Sequence, residues 1–249
     1  MLPPLTRGIA AGGFGGLLSG LFSLLLAGPL LDRAIRLEEE HGAEHGETGH
    51  AHAAEEVFGR GTQHIGLVVT AIVMGLAIGV FFGIVYAVLY RVPDPAADWP
   101  RAVALAAAGF VALSLLPGLR YPARPPGVGD SDTVEERQLA WLAALVIGVL
   151  GTALAWHLYR RLTDQLQPVR HLAVAGTLVA TLAALFLLPG NPDPVDVPAE
   201  LLWDFRLLSL AGHGMLWAGL AVAFWLLSRQ AETARPTAPA PAETVSVRS

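Results

Sequence analysis

Several stretches of about 16 to 25 residues in this chain carry no charged side chain at all. A helix rises 1.5 Å per residue, so about 20 apolar residues cross the roughly 30 Å hydrocarbon core of a bilayer. A soluble domain has no use for several uncharged runs of that length. The composition agrees, with 53% of the 249 residues hydrophobic and only 15% charged. The predicted fold is all-α, an integral membrane helical bundle whose solvent is the lipid bilayer. The net charge of −5 comes with no basic patch, which excludes nucleic acid as a partner.

Six transmembrane helices are predicted, at residues 8–31, 65–90, 101–117, 139–159, 171–189 and 205–228. The third and fifth are short and rich in alanine, which leaves open a count of five with one shallow or re-entrant segment. The first run follows Arg7, as a secretory signal core would. It is longer than the roughly 7 to 15 residues of such a core and lacks the A-x-A-like ending, so it reads as a retained helix. The expected organisation is a first transmembrane helix at 1–31, an extracytoplasmic His/Glu-rich loop at 32–64, and the remaining bundle with proline-rich outer loops at 65–228. Residues 229–249, rich in Pro, Ala, Thr and Ser, read as a disordered cytoplasmic tail. Orientation follows from arginine: the 160–170 loop holds three against one acid, while the 190–206 loop holds one among four acids. Positive charge favours the inner face, so both termini are expected in the cytoplasm and the chain in the cell membrane.

All 16 basic residues are arginine and there is no cysteine. A phosphate-binding loop needs its lysine, as does a Schiff-base enzyme, and thiolate metal or redox chemistry needs cysteine. No H-E-x-x-H pair is present either, so the expectation is a protein that is not an enzyme and carries no ATPase of its own.

Gly8, Gly12, Gly16 and Gly20 recur every four residues in the first span, and Gly75, Gly79 and Gly83 do so in the second. Such a stripe lets helix backbones approach closely where lipid offers no hydrophobic drive. It serves packing, or else a smooth seam along which one helix slides.

Between these spans lies the tract "LEEEHGAEHGETGHAHAAEE", with four histidines and seven glutamates in twenty positions. His41 and His45 stand four apart with Glu44 between them, and His50 and His52 follow. On a helix the first pair shares one face, and neutral imidazole with carboxylate suits a divalent ion such as cobalt, nickel or zinc. Glycines at 42, 46 and 49 argue for a flexible, weak, multi-site collector; nitrogen and oxygen donors alone do not select cobalt. A solvated acidic linker with incidental histidines is the alternative. His64, where the second span begins, could pass an ion onward or simply cap a helix.

Within the spans ionisable groups are few. His213, in "LAGHGML", is either on an ion pathway or a neutral histidine bonded to a neighbouring helix. Asp204 and Arg206, at the mouth of the same span, orient the loop or pair with each other, with a ligand role for Asp204 as a further option. Prolines stiffen the loops "YPARPPGVGDSDT" and "NPDPVDVPAE". Asp130 and Asp132 in the first, with Asp193 and Asp196 in the second, are either turn formers or an acidic vestibule that concentrates cations. His157 and His171 read as surface residues.

"RGIAAGGFGGLLSGLFSLLLAGPLLDRAIRLEEE", the tract, "GTQHIGL", "RYPARPPGVGDSDT" and "LLWDFRLLSL", in that order, resemble the probable cobalt transporter subunit family CbtA over most of residues 7 to 228. The resemblance implies a membrane subunit of a divalent metal uptake transporter, linked to cobalt supply for cobalamin biosynthesis. It also implies a small one-span partner subunit with a histidine-rich end, and makes His41, His45, His50 and His52 the metal-collecting loop. The metal is then substrate rather than resident cofactor. Since the spans hold few acids to offset a crossing charge, the path calls for that partner or another copy in a homo-oligomer. The rival reading is a membrane-anchored metal-binding or sensing scaffold that supplies another permease.

Overall fold

The computed structural model describes residues 2–27, 60–92, 94–124, 131–191, 193 and 197–233. Among them there is no strand, and six helices are long and apolar enough to cross a membrane. We number these α1 (Leu2–Phe22), α2 (Arg60–Leu89), α3 (Asp98–Arg120), α4 (Val134–Arg161), α5 (Gln167–Leu185) and α6 (Ala199–Thr233). The fold is thus the predicted helical membrane bundle, and the third and fifth spans, at 23 and 19 residues, both qualify as crossings.

Local chemistry sets the boundaries. Pro3 and Pro4 occupy the first turn of α1, where a missing N–H costs nothing, and Pro168 does the same in α5. Helix α4 opens on Glu135 and Glu136 and closes on Arg160 and Arg161, which matches the helix dipole at both ends. The third helix was expected to stop at Pro117 but runs on to Arg120. A π-helical turn at Val111–Leu115 explains the difference, because the Leu116 N–H bonds Val111 O, five residues back. That wider turn makes room for a proline ring that an unbroken α-helix rejects. A second π turn, Ser23–Ala27, ends α1. Helix α6 is longer than expected at both ends: it takes in 199–204, and residues 229–233 of the expected tail are helical. Residues 28–31 and 234–249 lie outside the described residues.

Helices α1, α2 and α6 form one tightly packed group. Helix α3 joins α6 to an α4–α5 hairpin. The main core sits between α2, α3 and α6, where Phe82, Tyr86, Leu216, Leu220 and Phe224 are buried, and a smaller one joins Leu116, Ala144 and Leu185. Large apolar side chains elsewhere point outward, with Leu187 87%, Leu172 71% and Phe81 68% exposed, as lipid-facing positions do. Aromatic residues gather at the ends, including Trp99 edge-on to Trp225 and Trp203 beneath Arg206, which fits an interfacial belt.

Candidate functional site

Helices α1 and α2 run antiparallel with their glycine stripes face to face. A Cβ built on Gly12 would lie 2.7 Å from Gly79 Cα, one on Gly8 2.9 Å from Gly83 Cα, and one on Gly75 2.7 Å from Gly16 Cα. Real side chains do not approach backbone so closely, so only glycine permits this contact. Gly20 ends the seam against Ala71. The consequence is positional: Ala27, where α1 ends, and Arg60, where α2 begins, lie at the same end of a tightly zipped pair. We call this the tract end, and the other the termini end.

A second seam escaped the sequence reading. On an adjacent face of α1, Gly15 faces the backbone of Leu216 and Leu220, Gly219 faces Gly15, and the Ser19 hydroxyl donates to Gly212 O at 2.9 Å. The doublet Gly15–Gly16 carried the signal, because adjacent residues on a helix point about 100° apart and so serve two faces.

The tract-end connections are clasped by charge. Asp193, 3% exposed, accepts from Arg137 Nη1 and from Thr133 Oγ1, each at 2.7 Å, while Arg124 Nη1 lies 3.6 Å from the same carboxylate. Burial holds the Arg124 guanidinium below its ordinary pKa; Asp193 opposes that shift, and Arg137 and Arg206 add to it. Arg120 donates to Leu185 O at 3.1 Å and Leu188 O at 2.6 Å, closing the end of α5, and the Tyr121 hydroxyl donates to Pro189 O at 2.7 Å. The vestibule expectation therefore does not hold for Asp193. Its carboxylate is already neutralised by arginine and has no spare field with which to gather cations.

The remaining sequence-derived residues fall into three groups. His41, Glu44, His45, His50, His52, Asp130 and Asp196 lie outside the described residues. His64 is in the second turn of α2, just before its apolar part. Asp132 is exposed in the 3-10 turn Ser131–Thr133, and Asp204 is exposed on the second turn of α6. Among the described residues Asp204 and Arg206 form no ion pair with each other, because positions two apart on a helix diverge. Arg206 instead lies 5.5 Å above the Trp203 ring. His213 is exposed on an outward face of α6. Its neighbour Gly212 meets Ser23 and Phe22 of α1, one turn from Ala27. Among the described residues no three His, Cys, Asp or Glu side chains come together to hold a metal.

A family model described as "Probable cobalt transporter subunit (CbtA)" matches residues 4–228. The chain belongs to this family. No curated protein and no solved structure matches the chain. Family membership makes it a transporter subunit, and its six apolar helices make it a multi-pass membrane protein. The match includes the tract, both proline-rich loops and all but the last few residues of α6.

Proposed function

We propose that this CbtA-family subunit takes up a divalent metal ion, cobalt in the first place, by collecting it on the 32–64 loop and passing it to a passage through the membrane. His41, Glu44, His45, His50 and His52 are the collector, and His64 receives the ion at the head of α2. Asp130, Asp132 and Asp204 line the approach, and His213 is the first imidazole within the membrane. What supports the reading best is the α1–α2 glycine seam. By zipping the two helices it holds Ala27 and Arg60, which flank the segment that contains the tract, at one end of the bundle, and Ser23 near Gly212 puts Ala27 within about one turn, roughly 6 Å, of the level of His213.

Both termini then face the cytoplasm, and no nucleotide is required. A doubly charged ion moving inward gains about 4.6 kcal/mol per 100 mV of inside-negative potential, more than a thousandfold in accumulation. Because His213 faces outward, the passage is completed by a second membrane component: the small histidine-rich subunit or another copy of this chain.

One observation favours the scaffold alternative. Among the described residues the buried polar ones are Ser19, Thr181, Asp193 and Ser228, too few and too scattered to strip water from an ion. Sealed vesicles containing the chain, with and without the companion subunit, separate the two readings when cobalt entry is followed under an imposed inside-negative voltage. Entry supports transport; metal bound outside with none entering supports the scaffold. Replacing His41, His45, His50 and His52 together by alanine is expected to weaken apparent affinity at an unchanged maximal rate. An unaltered concentration dependence removes the tract from the mechanism.

A further inference from the structure

Between α2 and α4, floored by α3, lies a cleft of about 670 Å³ that opens to the outside of the bundle. Its existence follows from small side chains. Ala108, Gly109 and Ala112 keep the α3 floor low, and the Trp217 ring of α6 fills the space above Gly109. From Arg161 at the mouth to Val149 at the far end the cleft spans twelve residues of α4, about 18 Å, close to the thickness of one leaflet of a roughly 30 Å core. Its walls, among them Ile78, Phe81, Val85 and Val149, are apolar almost throughout.

The exception is the mouth, at the termini end, where His157, Arg160 and Arg161 line the cleft. All three are exposed, and among the described residues neither arginine has a carboxylate partner. The charge reaches across the opening: Tyr90, at the end of α2, is raised by burial, while Arg101 and Arg160 act to lower it. Just inside, Thr152 and Trp156 line the wall, and Thr152 Oγ1 and Trp156 Nε1 are both shut from solvent without a partner in the protein. An apolar slot one leaflet deep, with two free guanidinium groups at the headgroup level, matches one kind of molecule. A phosphodiester pairs with arginine, and an acyl chain fills the slot.

We propose that this cleft is a binding site for an acidic phospholipid, with its phosphate held by Arg160 and Arg161 and one acyl chain lying between α2 and α4 over α3. The assignment does not depend on the transport reading or on which leaflet the mouth faces. It gives this cleft an occupant, and ties the α1–α2–α6 group to the α4–α5 hairpin through lipid.

The test uses the purified full chain, stripped of lipid in neutral detergent. Phosphatidylglycerol or phosphatidylcholine carrying brominated acyl chains is then titrated in, with tryptophan quenching as the readout. Trp156 and Trp217 line the cleft, so saturable quenching is expected, largely lost in Trp156→Phe/Trp217→Phe. Phosphatidylglycerol should bind about thirtyfold more tightly than phosphatidylcholine, from two arginines at the surface. Arg160→Gln/Arg161→Gln should erase that preference, and native mass spectrometry should count one lipid per chain. Preference that survives the double substitution overturns the proposal. So does a second copy in the cleft, read from disulfide-linked dimers of Ala153→Cys, whose thiol is unique in a chain with no cysteine. Since both arginines are exposed, their replacement leaves the folding of the bundle intact, checked by its circular dichroism.

Discussion

The glycine seam allows a stability prediction worked from distances. In Gly12→Ala the new Cβ would collide with Gly75 O and stand 2.7 Å from Gly79 Cα, where ordinary contact begins at 3.4 Å, so α1 and α2 must part by at least about 0.7 Å. The obstacle is backbone and cannot rotate away. A gap of that size forfeits a quarter to a half of each neighbouring contact; over on the order of 40 atom pairs at about 0.15 kcal/mol each, the loss is about 1.5–3 kcal/mol. Overpacking penalties of about 1–3 kcal/mol point to the same range. Gly176→Ala in α5 is the matched control, since nothing lies within 4 Å of its Cβ position. There alanine should be neutral or add up to about 1 kcal/mol through helix propensity. Unfolding by dodecylsulfate in mixed micelles, followed by circular dichroism, gives both free energies. Gly12→Ala/Gly79→Ala should cost less than the sum of the singles, because helices already parted by one methyl make room for the next. Coincident unfolding midpoints for Gly12→Ala and Gly176→Ala would show that the seam is not the tight contact described.

Asp193→Ala removes the carboxylate that Arg124 and Arg137 share. The expected cost is about 2–3 kcal/mol, at or below the 3–5 kcal/mol for a fully buried pair because the arginines stay 15% and 25% exposed, read as a lowered thermal midpoint. Ser19→Ala removes the hydroxyl that donates to Gly212 O and should cost about 0.6–1 kcal/mol in the same unfolding assay, with no change in secondary structure. Metal capture by the tract requires neutral imidazole, whose proton uptake begins near pH 6.5, so calorimetric affinity should fall roughly tenfold per coordinating histidine between pH 7 and 5.5. An affinity flat over that interval would assign the binding to glutamate.

What could be read from the sequence was what the bilayer dictates. Lipid demands long uncharged helices, so six runs were visible as runs, and glycine at every fourth position has few uses other than backbone contact. Helix ends were harder. A proline usually stops a helix, and only the π turn at Val111–Leu115, which no residue type announces, lets α3 carry Pro117 to Arg120. The clasp around Asp193 was invisible for a different reason. Its members come from three stretches, 120–124, 133–137 and 189–193, brought together by the α3–α4 and α5–α6 connections, and charge type alone does not say which acid meets which arginine. The cleft over α3 was likewise hidden, because it is made by residues that are absent: small side chains on one helix and a separation between two others.

The same seam that gives the bundle its shape limits where an ion can cross it. Backbone touches backbone along α1–α2, Gly15 closes α1 against α6, and Gly148 closes α4 against Ala112 of α3, so these three contacts leave no room for an ion. A route through any of them requires the helices to part. Parting α1 from α2 by one methyl costs about 1.5–3 kcal/mol by the contact estimate above, while a divalent ion gains about 4.6 kcal/mol per 100 mV. Hydration decides against such a route: a path lined by glycine Cα atoms and helix-bonded carbonyls offers the ion no ligands, whereas an outward-facing imidazole at His213 can be completed by donors from another chain. On the proposed reading the glycines act by keeping Ala27 and Arg60, the helix ends that flank the tract, at one end of the bundle, and the ion passes where α6 meets a second chain.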